Sequence, residues 1–226
     1  LPLLFNSCPE DDEDKFSKSA TERIEEAVKE AITVLQGAEN GWRMELYPEG
    51  ERIYGGYTLF LKFNTDNTVV ASSENFAAGK TESSYYSVVA ESGPVLAFDT
   101  NNDIIHFYSS PTTGAELGIG TSNGGLEGDS DFIVMEASAD FVKLKGRKTN
   151  NYAYLYPIEA GVNWKTELQS YQDAAAKMDL IYTRCVVDGV TYPIDWEMTL
   201  NNFSSRVFRI SYTPAPGDDG SVSTGE

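Results

Sequence analysis

Cys8 is the residue whose type and setting carry the most specific chemistry. Residues 1–5 (LPLLF) are apolar, Asn6 and Ser7 lead to the cysteine, and Pro9 and an acidic run at 10–14 (EDDED) follow. An apolar stretch ending in a small residue and then cysteine is how a lipoprotein signal peptide ends. Its chemistry needs a thiol, the nucleophile that accepts a diacylglyceryl group through a thioether. One acyl chain holds a protein to a membrane only marginally, whereas two or more, at about 0.8 kcal/mol per buried methylene, hold it stably. The stretch is too short to span a bilayer, which takes about 20 apolar residues, and it lacks the basic start of a whole signal peptide. It therefore reads as the last part of a signal, with the chain beginning inside it and Cys8 as the lipid attachment site. The competing use of this thiol, a disulfide with Cys185, is the weaker reading. Cys185 lies in a strand-like run and is most simply a small buried apolar residue.

A second constellation is Tyr152, Tyr154 and Tyr156, which alternate with Ala153 and Leu155 and so share one face of a strand. Exposed aromatic rings stack sugars, making the three a candidate glycan-binding strip. Tyrosine is also a good strand former, and the competing reading packs the rings under a helix, with Trp164 as the cover.

Other matches fail on chemistry. Gly120-Thr121-Ser122-Asn123-Gly124 fits the spacing of a nucleophile elbow, but that motif needs a strand before it, a helix after it and a later histidine. Here the surroundings are glycine-rich and His106, the one histidine, comes earlier. Gly118 and Gly120 begin a dinucleotide loop that Asn123 breaks. Asp99, Asn101 and Asp103 open like an EF-hand, yet Ile104 stands where glycine is required and Ser110 where glutamate is; an Asx-rich hairpin turn is the simpler reading. Asp129 and Asp131 have the chemistry to join a calcium site across loops, though nothing in the sequence shows one. His106 is expected as a strand residue, and a lone histidine supports neither a zinc site nor a triad. No catalytic residue, metal site or cofactor is assigned. Carboxylates are abundant enough to supply a glycosidase-like pair, so an extracytoplasmic carboxylate-dependent hydrolase is the alternative function.

The net charge of −18 and pI near 4.3 repel phosphate backbones and anionic lipid head groups. Nucleic acid is therefore not an expected partner, and the membrane is a partner through the lipid anchor only. A hydrophobic share of 41% supplies a core for one large domain or slightly more.

These residues need a scaffold, and the periodicity supplies one. Ser19 and Glu22 form a capping box, and Ile24, Ala27, Val28, Ala31, Ile32 and Leu35 recur at helical spacing up to Gly37. This predicts an amphipathic helix lying on a sheet. From Gly41 the period changes to two. Strands are expected at 42–47, 57–63, 69–73, 84–90, 95–98, 104–108, 132–136, 141–145 and 152–156, joined by turn-rich clusters that imply antiparallel pairing. Residues 111–131 read as one long loop. A second helix is expected over 163–180, with Trp164, Leu168, Tyr171, Ala175 and Met178 on one face. Strands at 181–187 and 190–194 follow, joined by Asp188-Gly189, and then strands at 196–200 and 206–212. The fold class is α+β, mainly β: a curved antiparallel β-meander with an N-terminal helix packed on it, followed by a second helix-plus-strands unit. The expected divisions are a signal remnant and lipobox at 1–8, an acidic linker at 9–18, the helix-plus-meander domain at 19–160, the second unit at 161–213, and a tail at 214–226 that marks a truncation point.

Residue for residue, the chain resembles a known family. The resemblance is carried by the acidic run, Phe16, Glu22-Arg23, Asn40-Gly41-Trp42, Gly55-Gly56-Tyr57 and Ser84-Tyr85. It continues through Gly93-Pro94-Val95-Leu96-Ala97-Phe98-Asp99, Gly128-Asp129, Asp131-Phe132 and Leu144-Lys145-Gly146-Arg147-Lys148. The family is the Bacteroidetes outer-membrane lipoproteins of domain of unknown function 4302. It covers roughly residues 8–160 and extends more faintly beyond. The resemblance implies an outer-membrane lipoprotein whose acidic run is similar to a surface-export signal. It carries no established activity and no catalytic residue. The expected function is a surface-exposed binding or accessory protein for glycans or envelope partners.

Overall fold

The structure is a computed structural model that describes residues 18–113, 125–176, 184–187, 190–198 and 208–212, the last three segments as backbone only. Cys8, the acidic run, Gly120 to Gly124 and the tail lie outside the described residues.

Helix α1 spans Ala20–Gly37 and begins as its capping box dictates. Glu22 N–H donates to Ser19 Oγ at 3.2 Å, and Ser19 N–H donates to the Glu22 carboxylate at 2.8 Å. These bonds satisfy two donors that the helix start leaves without intrahelical partners. They also hold the Glu22 carboxyl below its ordinary pKa, the backbone N–H of Ser19 acting most strongly.

Eight strands follow: β1 Trp42–Leu46, β2 Tyr57–Phe63, β3 Thr68–Ser73, β4 Glu82–Ala90, β5 Pro94–Phe98, β6 Asp131–Ala137, β7 Val142–Gly146 and β8 Tyr152–Pro157. Each pairs antiparallel with the next, as the turn-rich connections require. The meander is also closed, because β8 pairs with β1 in the register Arg43↔Tyr156 and Glu45↔Tyr154. Closure removes both exposed edges. Sequence periodicity did not anticipate it.

The alternation of side chains decides what is inside. Trp42, Met44, Leu59, Leu61, Phe63, Val69, Leu96, Val142, Leu144, Ala153 and Leu155 are buried together in one cluster. Arg43, Glu45, Thr58, Lys62, Lys143 and Lys145 take the outward parity. An apolar filled interior with a polar exterior is the inverse of a lipid-facing barrel. Met135 is the extra residue of a β-bulge between Val134 and Glu136, and it is correspondingly exposed.

Both mouths are stoppered. Helix α1 packs against β2, β4, β5 and β6. In a ring of eight, β2 and β6 lie opposite each other, so the helix crosses one mouth instead of lying on an outer face. Leu35 and Ala31 enter the interior cluster there. Trp42 Nε1–H donates to Leu35 O at 2.8 Å, and Gln36 Nε2–H donates to Tyr86 Oη at 2.8 Å. At the opposite mouth sits a 3-10 helix, His106–Tyr108, where a strand over 104–108 was expected. Buried Asn102 explains the difference. Its Oδ1 accepts from Ile104 N–H and Ile105 N–H at 3.1 Å each, which bends the chain into a helical turn where extension was expected. The Asx-rich residues 99–103 thus lead into a turn of helix and not into a hairpin. Tyr108 packs at 5.0 Å from Tyr57, and its hydroxyl hydrogen-bonds Ser73 Oγ at 2.8 Å.

Helix α2 spans Trp164–Ala176, inside the expected 163–180. Asn163 Oδ1 accepts from Thr166 N–H at 3.1 Å, the side-chain cap of its first turn. A three-stranded antiparallel sheet follows: β9 Arg184–Val187, β10 Val190–Met198 and β11 Phe208–Tyr212, in the order β11-β10-β9. The strands expected at 190–194 and 196–200 are therefore one, with Pro193 and Asp195 accommodated within β10. The side chain of Cys185 is not described.

Candidate functional site

A closed barrel can offer a ligand its lumen or its outer face. Small eight-stranded barrels either hold a ligand in the lumen or fill it with side chains. Here the interior cluster and the two stoppers fill it.

On the outer face, β8 lies between β7 and β1. Ala153 and Leu155 point inward and are buried at 1% and 0% exposure, while Tyr152, Tyr154 and Tyr156 point outward and are half-buried. The Tyr154 and Tyr156 rings are near-parallel, at 18° with centroids 6.4 Å apart. Their flanking residues are charged. Lys143 is opposite Tyr154 and Lys145 opposite Tyr152, with Lys143 Nζ 4.3 Å from the Tyr152 ring centroid. Arg43 is opposite Tyr156 and lies 5.5 Å from its centroid. The reading in which Trp164 covers the tyrosines is not what forms.

Trp164 instead covers Phe60. Phe60 stands at an outward position of β2 yet is 1% exposed, because Trp164 and Tyr171 of α2 meet it edge-on at 5.6 and 6.4 Å. Several bonds seat α2 and the loop before it. Trp164 Nε1–H donates to Asn40 O, and Asn40 Nδ2–H donates to the carbonyls of Glu159 and Val162. Gln172 Nε2–H reaches the carbonyls of Glu74 and Phe76. Gly41, at φ 84°, lets these elements meet, since a Cβ there would stand 2.7 Å from both Leu61 O and Trp164 Cζ2.

Between β1, β2, β8 and α2 lies a cleft of about 370 Å³, lined by Arg43, Phe60, Tyr156, Glu159, Glu167 and Tyr171. Tyr171 Oη–H donates to Glu167 Oε1 at 2.9 Å. Burial, joined by that bond to a carboxylate, raises the Tyr171 pKa, while neighbouring Arg43 pulls the other way. Tyr171 is therefore a neutral donor at ordinary pH. Arg43 pairs with Glu45 at 3.2 Å, and its buried Nε–H has no acceptor. Aromatic faces, carboxylate acceptors and a guanidinium donor thus converge beside the tyrosines. Such a surface can stack an apolar face on an aromatic ring and hydrogen-bond both donors and acceptors.

Two other hollows are less well equipped. One of about 660 Å³ lies between the end of α1 and the loop after β8 and is lined by Val34, Ala38, Glu39, Lys62, Ile158 and Gly161 among others, with Lys62 Nζ–H donating to the Glu39 carbonyl at 2.9 Å. Another, of about 320 Å³, is lined by Phe76, Lys80, Asp103, His106 and Phe107 among others. His106 Nδ1 is engaged at 3.1 Å by the backbone of Asn102. Asp129 is spent on structure, accepting from Lys148 N–H at 2.5 Å and from Thr149 N–H and Oγ1–H. Asp131 opens β6. Among the described residues no three His, Cys, Asp or Glu side chains gather as a metal site.

Sequence reasoning missed Arg43, Phe60, Glu167 and Tyr171. One signal was present: Phe60 is an apolar residue at polar parity, between inward Leu59 and Leu61, which marks an outer face covered by a second layer.

The fold and face define an antiparallel eight-stranded barrel with a sealed interior and an external aromatic cleft. The chain belongs to the family described as domain of unknown function (DUF4302), whose profile matches residues 12–221. The match extends further towards the C-terminus than the 8–160 segment in which the resemblance was strongest. No curated protein and no solved structure matches the chain. Among the described residues no helix is long and apolar enough to cross a membrane.

Proposed function

We propose that this protein is a surface-exposed outer-membrane lipoprotein, anchored through Cys8, that binds glycans on the outer face of its barrel. The observation that carries the binding reading is the outward, near-parallel pair Tyr154 and Tyr156 at the rim of a cleft holding Arg43, Glu159 and Glu167. Pyranose rings present apolar C–H faces that stack on aromatic rings, and their hydroxyls take up mixed donors and acceptors. The anchor reading rests on the residues around Cys8.

Titration of the full chain with oligosaccharides tests the binding. Tyr154→Ala with Tyr156→Ala is expected to weaken it at least tenfold, roughly 1.4 kcal/mol, in protein whose circular dichroism shows it still folded. Unchanged affinity in the double variant would reject the face. For the anchor, intact-mass analysis of membrane-extracted protein is expected to find diacylglyceryl on Cys8; a bare thiol there would reject it.

One observation favours the alternative of a carboxylate-dependent hydrolase: Glu159 and Glu167 line the same cleft. Release of new reducing ends from a bound oligosaccharide, abolished by Glu167→Gln, would favour hydrolysis over binding.

A further inference from the structure

The cleft's charges narrow the class of ligand, on the premise that the aromatic face binds glycan. We infer that it takes an uncharged sugar residue of a neutral oligosaccharide, with Arg43 as the residue that reads it. The charged side chains lining the cleft are Arg43, Glu159 and Glu167, so carboxylates outnumber the single cation, in a chain of net charge −18. Glu45, paired with Arg43 from the neighbouring position of β1, adds another carboxylate beside it. Lys143 and Lys145 lie further along the strip towards Tyr152, and Lys143 is engaged on that ring. A uronic acid or sulfated sugar in the cleft would bring its anion against Glu159 and Glu167. A neutral sugar meets what its hydroxyls need, two carboxylate acceptors and a guanidinium donor, with Tyr156 beside them as an apolar face.

Arg43 is singled out because its Nε–H is buried without an acceptor, although a buried donor normally has one. Its exposed pair with Glu45 is of the kind worth little, and its guanidinium also engages Tyr171 and the Tyr156 ring, which places it on the cleft wall that a ligand oxygen would meet. Lysine carries the same charge but lacks the planar fork and its Nε–H. The loop from Pro157 to Val162 and helix α2 wall the cleft where β8 ends.

The test titrates the full chain with neutral hexose oligosaccharides and with uronic-acid oligosaccharides of equal length, at low and high salt. Neutral chains are expected to bind at least tenfold more tightly at low salt, with the gap narrowing as salt screens the carboxylates. Arg43→Lys is expected to lose at least tenfold on the neutral panel. Glu159→Gln, at an exposed loop position, is expected to raise the affinity for the acidic panel while preserving folding. Equal or tighter binding of the acidic panel overturns the inference but leaves glycan binding standing, as does an Arg43→Lys protein that binds like the parent. Binding to neither panel overturns the glycan reading and this inference with it.

Discussion

At Gly146, the last residue of β7, an added Cβ would run into Asp129 Oδ2 and crowd Thr149 Oγ1. That carboxylate is buried and accepts from Lys148 and Thr149, so it cannot withdraw without stranding their N–H groups. Gly146→Ala is expected to destabilise the protein by about 2–3 kcal/mol, read as a lower urea midpoint at unchanged slope. Gly37, in the last turn of α1, is the matched contrast: a Cβ there meets nothing within 4 Å. Gly37→Ala is expected to be neutral or to stabilise by up to about 1 kcal/mol through helix propensity and a restricted unfolded chain. If both substitutions moved the midpoint alike, the Asp129 clasp would not be what distinguishes them.

Helix α1 adds a pH dependence at the scale of the element. Glu22 titrates below its ordinary value because the Ser19 backbone and hydroxyl bond its carboxylate form, and Asp66 does so through the hydroxyl and N–H of Thr68. A depressed folded-state pKa contributes stability that is present above the unfolded value, near 4 for both groups. That contribution is lost as pH falls through the folded-state values. Stability is therefore expected to decline below about pH 4, and Ser19→Ala, which loses the hydroxyl but keeps the backbone N–H, is expected to shrink the Glu22 part of that decline without abolishing it. A parent and a Ser19→Ala protein with the same slope of stability against pH in this range would contradict the capping account. The other elements are held by different means. Helix α2 depends on Asn163, Gln172 and the contacts on Phe60. The β5–β6 connection depends on Asn102, a buried side chain that imposes a helical turn on a segment whose residues alternate like a strand.

Over the whole molecule the dominant electrostatic quantity is the net charge of −18. Like charges spread over a compact surface oppose folding, and salt screens that repulsion. The melting temperature is expected to rise between about 10 mM and 0.5 M NaCl, over which range the Debye length shrinks from about 30 Å to a few ångström. A flat or falling response would mean that attractive pairs offset the repulsion. The described ion pairs, such as Arg43–Glu45 and Arg147–Glu91, are exposed and of the kind that contributes little. The filled lumen leaves the outer face, with Tyr154, Tyr156 and the Arg43 cleft, as the place where the proposed binding is to be tested.

Much of this was legible in the residues because it is local. The capping box of α1, the period-two strands, the antiparallel succession and the parity of Tyr152, Tyr154 and Tyr156 depend on neighbours a few positions apart. Family membership was legible too, being carried by short turn and strand motifs. Tertiary structure alone decided that β8 returns to β1 and closes the ring, and that α1 crosses a mouth instead of lying on a sheet. It likewise decided that Trp164 covers Phe60 and that the tyrosines stand outward and half-buried. Each of these outcomes joins segments far apart in the chain. Periodicity states which face of an element is apolar but not which distant element will cover it; pairing and packing across the whole chain make that choice.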